Sequence, residues 1–384
     1  MTEARALEIL DRLIAFPTVS SRSNLDLIEY IRALLAPLGA RILLAPNSGG
    51  TKANLYAVLG PAVPGGVMLS GHTDVVPVQG QAWSTDPFRM TRRGDAFFGR
   101  GACDMKGFLA CVLAAAETAS ARLLSRPLHM AFSYDEEVGC VGVRGLLDQL
   151  AKTTHLPSIC VIGEPTGMRT AVGHKGKTAA RVVCRGKECH SSHAPEGLNA
   201  IHLATDIIGL LRKIQDELAA GPRDDDYAVP FTTVHVGTIR GGTALNIVPN
   251  ECVVDFEIRN LARDNPTKLL DRVFNAATAM SQRCETRFPG TGVSVEVVNS
   301  YPGLETPLQS KAVDLLARVT DDGPLSKIAF GTEGGLFHER LGVSTVICGP
   351  GHIRDAHKAD EFVSQDQMTQ CTHMLDRLLA ELAP

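Results

Sequence analysis

The 384 residues predict an α/β fold: a central, mostly parallel sheet flanked by helices, with a ferredoxin-like βαββαβ unit inserted into it. Three observations carry this reading. Short apolar runs alternate with helical segments in the first part of the chain, and a further apolar run and helix follow near its end. From Lys177 the rhythm changes to βαββαβ. That stretch is bounded by the Gly/Lys-rich segment 173–177 and by Pro302-Gly303, so the domains are read as 1–176 with 301–384, and 177–300.

Each element follows from local pattern. Residues 3–16 and 24–38 carry apolar residues at helical spacing, and the second helix starts after Ser21, Ser23 and Asn24 and stops at Gly39. The runs 55–59, 67–70, 128–134, 159–162 and 343–348 read as buried strands, with helices at 105–119 and 142–151 and a last helix at the end of the chain. Continuously apolar strands separated by helices imply a sheet covered on both faces. In the insert, strands at 178–185, 232–240, 252–259 and 293–299 alternate with helices at 198–218 and 266–282.

Composition narrows the function. A formal charge of −4 offers no basic field to nucleic acid, and a 5% aromatic share with one Trp offers no stacking platform for single strands. The longest strongly apolar stretch, 108–116, is too short to cross a bilayer, and the first ten residues lack a secretory pattern, so a cytoplasmic address and no membrane partner are expected. The ten cysteines form no C-x-x-C pair, which argues for core thiols over a thiolate metal site. A small solute remains as the expected partner.

The chemistry collects where strands end. Gly71-His72-Thr73-Asp74, Asp135-Glu136-Glu137, Gly163-Glu164-Pro165 and the glycines 349 and 351 leading to His357 each follow a strand, and Asp104 stands just before a helix. Open α/β sheets bind ligands at the carboxyl ends of their strands. Imidazoles and carboxylates without thiolates suit divalent ions with N/O ligands. Two such ions are balanced by three ligand carboxylates and a hydroxide, whereas the same acids without metal would repel one another.

Five ordered segments, 70–77, 99–107, 135–139, 163–166 and 356–363, resemble the dinuclear-zinc family that includes acetylornithine deacetylase, succinyl-diaminopimelate desuccinylase, aminoacylase and glutamate carboxypeptidase. The likeness covers nearly the whole chain. It implies a zinc-peptidase-like core with the insert as lid and dimerisation domain, and two divalent ions, zinc first and cobalt as the alternative. It assigns His72 and Glu164 to one metal, Glu137 and His357 to the other, and Asp104 to the bridge. Asp74 would orient His72. Glu136, an acid beside a ligand but off the metals, is read as the general base.

In the insert, the likeness makes His190 an oxyanion-stabilising residue that often serves the other subunit's site, and Asn246 and Arg259 the grip on the substrate carboxylate and carbonyl. The segment 330–337, with Gly331-Thr332-Glu333, is similar to the deacetylase branch and offers Glu333 to a cationic side chain. The implied reaction is hydrolysis of the acetyl amide of N2-acetyl-L-ornithine in arginine synthesis, by a homodimer. Other N-acyl-amino-acid hydrolases of the family, or a metal- or solute-binding homologue without turnover, are the alternatives; the free acid Glu136 beside Glu137 speaks against the last.

Overall fold

The structure is a computed structural model that describes residues 3–321 and 323–384. The chain divides into two compact units, Met1–His174 with Leu304–Pro384, and Lys175–Gly303.

In chain order the first unit begins with α1 (Glu3–Ile14), α2 (Leu25–Leu35), β1 (Arg41–Pro46), β2 (Ala53–Leu59), β3 (Val67–His72), β4 (Thr91–Arg93) and β5 (Ala96–Phe98). It continues with α3 (Gly107–Ser120), β6 (Leu128–Ser133), α4 (Val143–Leu150), β7 (Ile159–Ile162) and β8 (Ala171–His174). The second unit holds β9 (Gly176–Arg185), α5 (Ala200–Ala219), β10 (Thr233–Gly241), β11 (Glu251–Asn260), α6 (Pro266–Arg287) and β12 (Gly292–Tyr301). The chain then returns with β13 (Leu304–Glu305), α7 (Lys311–Val319), β14 (Ser326–Ile328), α8 (Gly334–Leu341), β15 (Ser344–Ile347), β16 (Phe362–Ser364) and α9 (Gln365–Glu381).

The large sheet runs β1-β2-β6-β3-β7-β15-β8-β13, with β14 beside β8. Its middle strands β6, β3, β7 and β15 pair in parallel, whereas β1–β2, β2–β6, β15–β8 and β8–β13 pair antiparallel. The sheet is therefore mixed rather than mostly parallel. Its parallel centre is where the sequence alternates strand and helix; the antiparallel flanks come from short or exposed strands such as β1, with its half-exposed Leu43 and Leu44.

Side chains of a strand alternate between faces. Leu55, Ala57, Leu69, Met130, Phe132 and Val161 join one core with α1, α2, α3, α7 and α9. The intervening residues face α4 and α8, where Asn54 donates to the Gly142 carbonyl at 2.9 Å and Ser133 donates to Glu333 at 2.9 Å. Helix α3 is buried over almost its whole length, and its alanines let it lie close to α1 and α9.

The second unit is a four-stranded antiparallel sheet, β10-β11-β9-β12, with α5 and α6 packed on one face. Strands β9 and β11 bury every second residue, as a sheet covered on one side requires. Both helices open on an asparagine whose side chain accepts a first-turn amide, Asn199 from Ile201 and Asn265 from Thr267.

Candidate metal centre

Parallel pairing brings the ends of β3, β6 and β7 to one edge of the sheet. His72 is the last residue of β3, Ser133 ends β6 just before Glu136 and Glu137, and Glu164 follows β7 by two residues. The end of β15 comes equally close because position 349 is glycine: a Cβ there would stand 2.0 Å from the Gly163 carbonyl oxygen. Asp104 enters from an irregular helical turn, Ala102–Lys106, ahead of α3.

Asp104 lies between two imidazoles. Its Oδ1 is 2.9 Å from His72 Nε2 and its Oδ2 is 3.1 Å from His357 Nε2. Glu137 is also 3.1 Å from His357 Nε2, and Glu164 is 3.8 Å from His72 Nε2. Donor atoms of His72, Glu136 and Glu164 fall within 4.8 Å of one another, as do those of His72, Asp104 and Glu137. His72, Asp104 and Glu164 are buried, whereas the His357 side chain is 46% exposed and forms the open side of the cluster.

The cluster draws in positive charge. Burial pushes the Glu136 and Glu164 carboxyls well above the usual carboxylate range, and burial together with the Asp104 charge raises Glu137 to about 7. Burial works against a charge on His72, yet Asp104 holds its imidazole well above the ordinary value; hydrogen bonds to Asp104 and Glu137 raise His357 to about 10. Asp104 itself, pushed up by burial, is carried below its usual range by hydrogen bonds from His357 and His72. Four acids around two imidazoles need cations, and this N/O donor set fits divalent ions of the zinc type.

The supports differ in one respect from the expected pattern. His72 Nδ1 donates to the main-chain carbonyl of Asp74 at 2.8 Å, while the Asp74 carboxylate is 3.7 Å away. That carboxylate accepts the main-chain amides of Glu136 at 3.1 Å and Glu137 at 3.3 Å, and the Ser20 hydroxyl at 2.7 Å. Asp74 thus orients His72 through its backbone and uses its side chain to hold the turn that carries the two glutamates.

Glu333, the first residue before α8, is buried at 2% exposure, and its neighbours are Ser133 on one oxygen and no hydrogen-bond partner on the other. Burial raises its carboxyl to about 7. In the second unit, the His190 ring accepts the Ser192 amide at 3.2 Å, and Ser191 donates its amide to the Asn246 carbonyl at 3.0 Å, so His190 and Asn246 share one loop cluster. The Arg259 guanidinium on β11 already faces an acid of its own chain, Glu257, at 2.9 Å.

Several contributors carried no role in the sequence reading. Arg100 and Glu361 pair in the interior at 2.5 Å beside Asp104, and Lys106, buried with its Nζ donating to the Phe16 carbonyl at 2.7 Å, is brought down to about 7 by burial. The available signal is position: each lies within four residues of Asp104 or His357 in sequence. The expected core thiols are observed: nine of the ten cysteines are buried, Cys189 is partly exposed, and all are unbridged. No helix among the described residues is long and apolar enough to cross a membrane.

A profile of the peptidase family M20/M25/M40 matches residues 68–381. An acetylornithine deacetylase from Myxococcus xanthus is 34% identical over 377 residues, covering 97% of this chain and 96% of its own. Among solved structures, an aminopeptidase from Bacillus cereus superposes with a TM-score of 0.77 at 18% identity, covering 100% of both chains. A dinuclear metal-binding peptidase from Bacillus subtilis does so with a TM-score of 0.71 at 16% identity, covering 99% of this chain and 98% of its own.

Proposed function

The chain belongs to the peptidase family M20/M25/M40 and is a metal-dependent hydrolase, and from that premise we propose that it cleaves the acetyl amide of N2-acetyl-L-ornithine, releasing acetate and L-ornithine. The observation that carries the reading is Asp104 between His72 and His357, at 2.9 and 3.1 Å, ringed by Glu136, Glu137 and Glu164.

In this reading His72 and Glu164 hold one divalent ion, Glu137 and His357 the other, and Asp104 both. Zinc is the expected metal and cobalt the alternative; when bound, the ions polarise the scissile carbonyl and make a neighbouring water more acidic. Glu136 accepts a proton from the attacking water as the new C–O bond forms, and returns it to the nitrogen as the C–N bond breaks. Its burial, which favours the protonated carboxyl, suits the second half of that cycle.

The second unit serves as lid and dimer contact in this proposal. His190 steadies the oxyanion, Asn246 and Arg259 hold the substrate, and the enzyme works as a cytoplasmic homodimer. A substrate carboxylate must compete with Glu257 for the Arg259 fork, and Glu333 has one oxygen left for an ammonium. The competition from Glu257 favours, as second reading, a less selective N-acyl-amino-acid hydrolase, whereas the open Glu333 oxygen favours ornithine. A panel of N-acetyl and N-succinyl amino acids, assayed with zinc- or cobalt-loaded protein, separates the readings: the first requires N2-acetylornithine to have the highest kcat/KM, and no turnover of any member would leave a metal-binding homologue.

A further inference from the structure

Glu361 and Arg100 form a buried pair that touches both sides of the centre without supplying a donor to it. Glu361 is fully buried and Arg100 is 1% exposed. One oxygen of Glu361 accepts the main-chain amides of Cys103 and Asp104, each at 3.0 Å. The other oxygen meets the Arg100 guanidinium at 2.5 Å. Arg100 lies 5.0 Å from the Trp83 ring centroid and donates to the Gln81 side-chain carbonyl, which Trp83 Nε1 also approaches at 3.0 Å. Gln81 then turns its amide to the His357 carbonyl at 3.1 Å.

The connectivity has a direction. Glu361 sits four residues after His357 on the segment leading into β16, so one stretch of chain contacts Asp104 twice: His357 meets its carboxylate and Glu361 meets its amide. Arg100 and Gln81 close the loop by returning from Glu361 to the His357 backbone. A buried arginine with a carboxylate partner is held by charge-assisted hydrogen bonds, which are short and directional. Such a pair is poor support for overall stability, since two charges must be desolvated, and a better device for fixing geometry.

We propose that Glu361 and Arg100, joined by Gln81, are positioning residues that fix the Asp104–His357 pair at metal-binding separation, so that metal affinity depends on a carboxylate that ligates nothing. This rests on the reading of Asp104 and His357 as ligands. Groups that orient metal ligands typically contribute about 10–100-fold in affinity.

The test is a titration of metal-free full-length protein with Zn²⁺ by calorimetry, and with Co²⁺ by its visible spectrum, for wild type, Glu361→Gln and Gln81→Ala. Glu361→Gln keeps the shape but leaves Arg100 without its counter-charge, and Gln81→Ala, at a partly exposed position, removes the link to His357 together with the acceptor that Arg100 and Trp83 share while leaving the Arg100–Glu361 pair in place. Glu361→Gln is expected to weaken binding by about 10–100-fold and Gln81→Ala by a smaller factor, both with an altered cobalt spectrum. A folded Glu361→Gln with wild-type affinity and spectrum overturns the proposal. Should that variant fail to fold, Gln81→Ala decides: wild-type affinity and spectrum there overturn it equally. A purely structural role would lower the melting temperature while leaving affinity and spectrum of the folded protein unchanged. Wild-type protein that takes up no ion would instead overturn the ligand reading itself, and this proposal with it.

Discussion

The Asp74 carboxylate accepts the main-chain amide of Glu136 at 3.1 Å, so the acid read as general base is placed by a hydrogen bond to its backbone while its own carboxyl stays free of Asp74. Since Asp74 also holds the Glu137 amide, Asp74→Asn puts an amide group where three donors now converge, Ser20 being the third. The variant should bind zinc about 10–100-fold more weakly, as loss of ligand-orienting contacts typically does. Calorimetric titration of the metal-free protein checks this, and unchanged affinity would show that the turn holds its shape without Asp74.

Ligand removal should act unequally on the two ions. Asp104 contacts both imidazoles, so Asp104→Ala is expected to disrupt both sites, whereas His357→Ala removes only the exposed side and should leave about one ion per chain on His72 and Glu164. Elemental analysis after dialysis gives the stoichiometry. Two ions retained by Asp104→Ala would remove the bridging role.

Glu136→Gln should retain its metal and bind substrate while kcat falls by about 10²-fold or more, the scale of losing a general base. Near wild-type turnover would move the role elsewhere, Asp135 being the first acid to examine. Asp135 is already committed to Lys52 at 2.5 Å, which makes it the poorer base.

Much of this architecture was open to sequence reasoning because the side chains themselves carry the signal. The strand Ile159–Ile162 is a short apolar run closed by Gly163, and it was bounded to the residue. His72 ends a strand and Glu136, Glu137 and Glu164 stand within four residues of a strand end, so finding the strands locates them. Strand β1 escaped because four of its six residues are exposed and no alternation marks them, and α8 because it opens on two glycines. The Asp74 and Glu361 carboxylates act on backbone amides supplied by distant segments; a side-chain pattern holds no trace of an amide's direction.

Away from the centre, His129 makes stability depend on pH. Its Nδ1 faces the Tyr56 hydroxyl at 2.5 Å and its Nε2 the Gly65 carbonyl at 3.0 Å, and burial lowers it to about 4. The unfolded chain takes up a proton there near the ordinary histidine value of about 6.5, so between those values the unfolded state binds more protons and stability rises with pH. Relative to His129→Phe, wild type should lose up to about 2 kcal/mol on going from about pH 7 to about pH 5. Urea unfolding of both proteins at the two pH values measures the difference; parallel changes would show that His129 titrates normally in the fold.

In the proposed reading, specificity rests on Arg259 and Glu333, whose present partners belong to the chain itself. Arg259→Lys keeps the charge but loses the planar fork that now spans Glu257, and should raise KM for every acyl-amino acid tested. Glu333 differs because it is buried, with one oxygen on Ser133 and one unpartnered, a costly arrangement unless a cation or proton completes it. If the ornithine ammonium supplies that partner, Glu333→Gln should lower kcat/KM for N2-acetylornithine far more than for N-acetylmethionine, by about 1–3 kcal/mol of transition-state binding. The ratio of the two constants in wild type and variant is the measurement. Equal losses on both substrates would mean that Glu333 braces the end of β6 through Ser133 and does not read the side chain, and the broader N-acyl-amino-acid hydrolase would become the preferred reading.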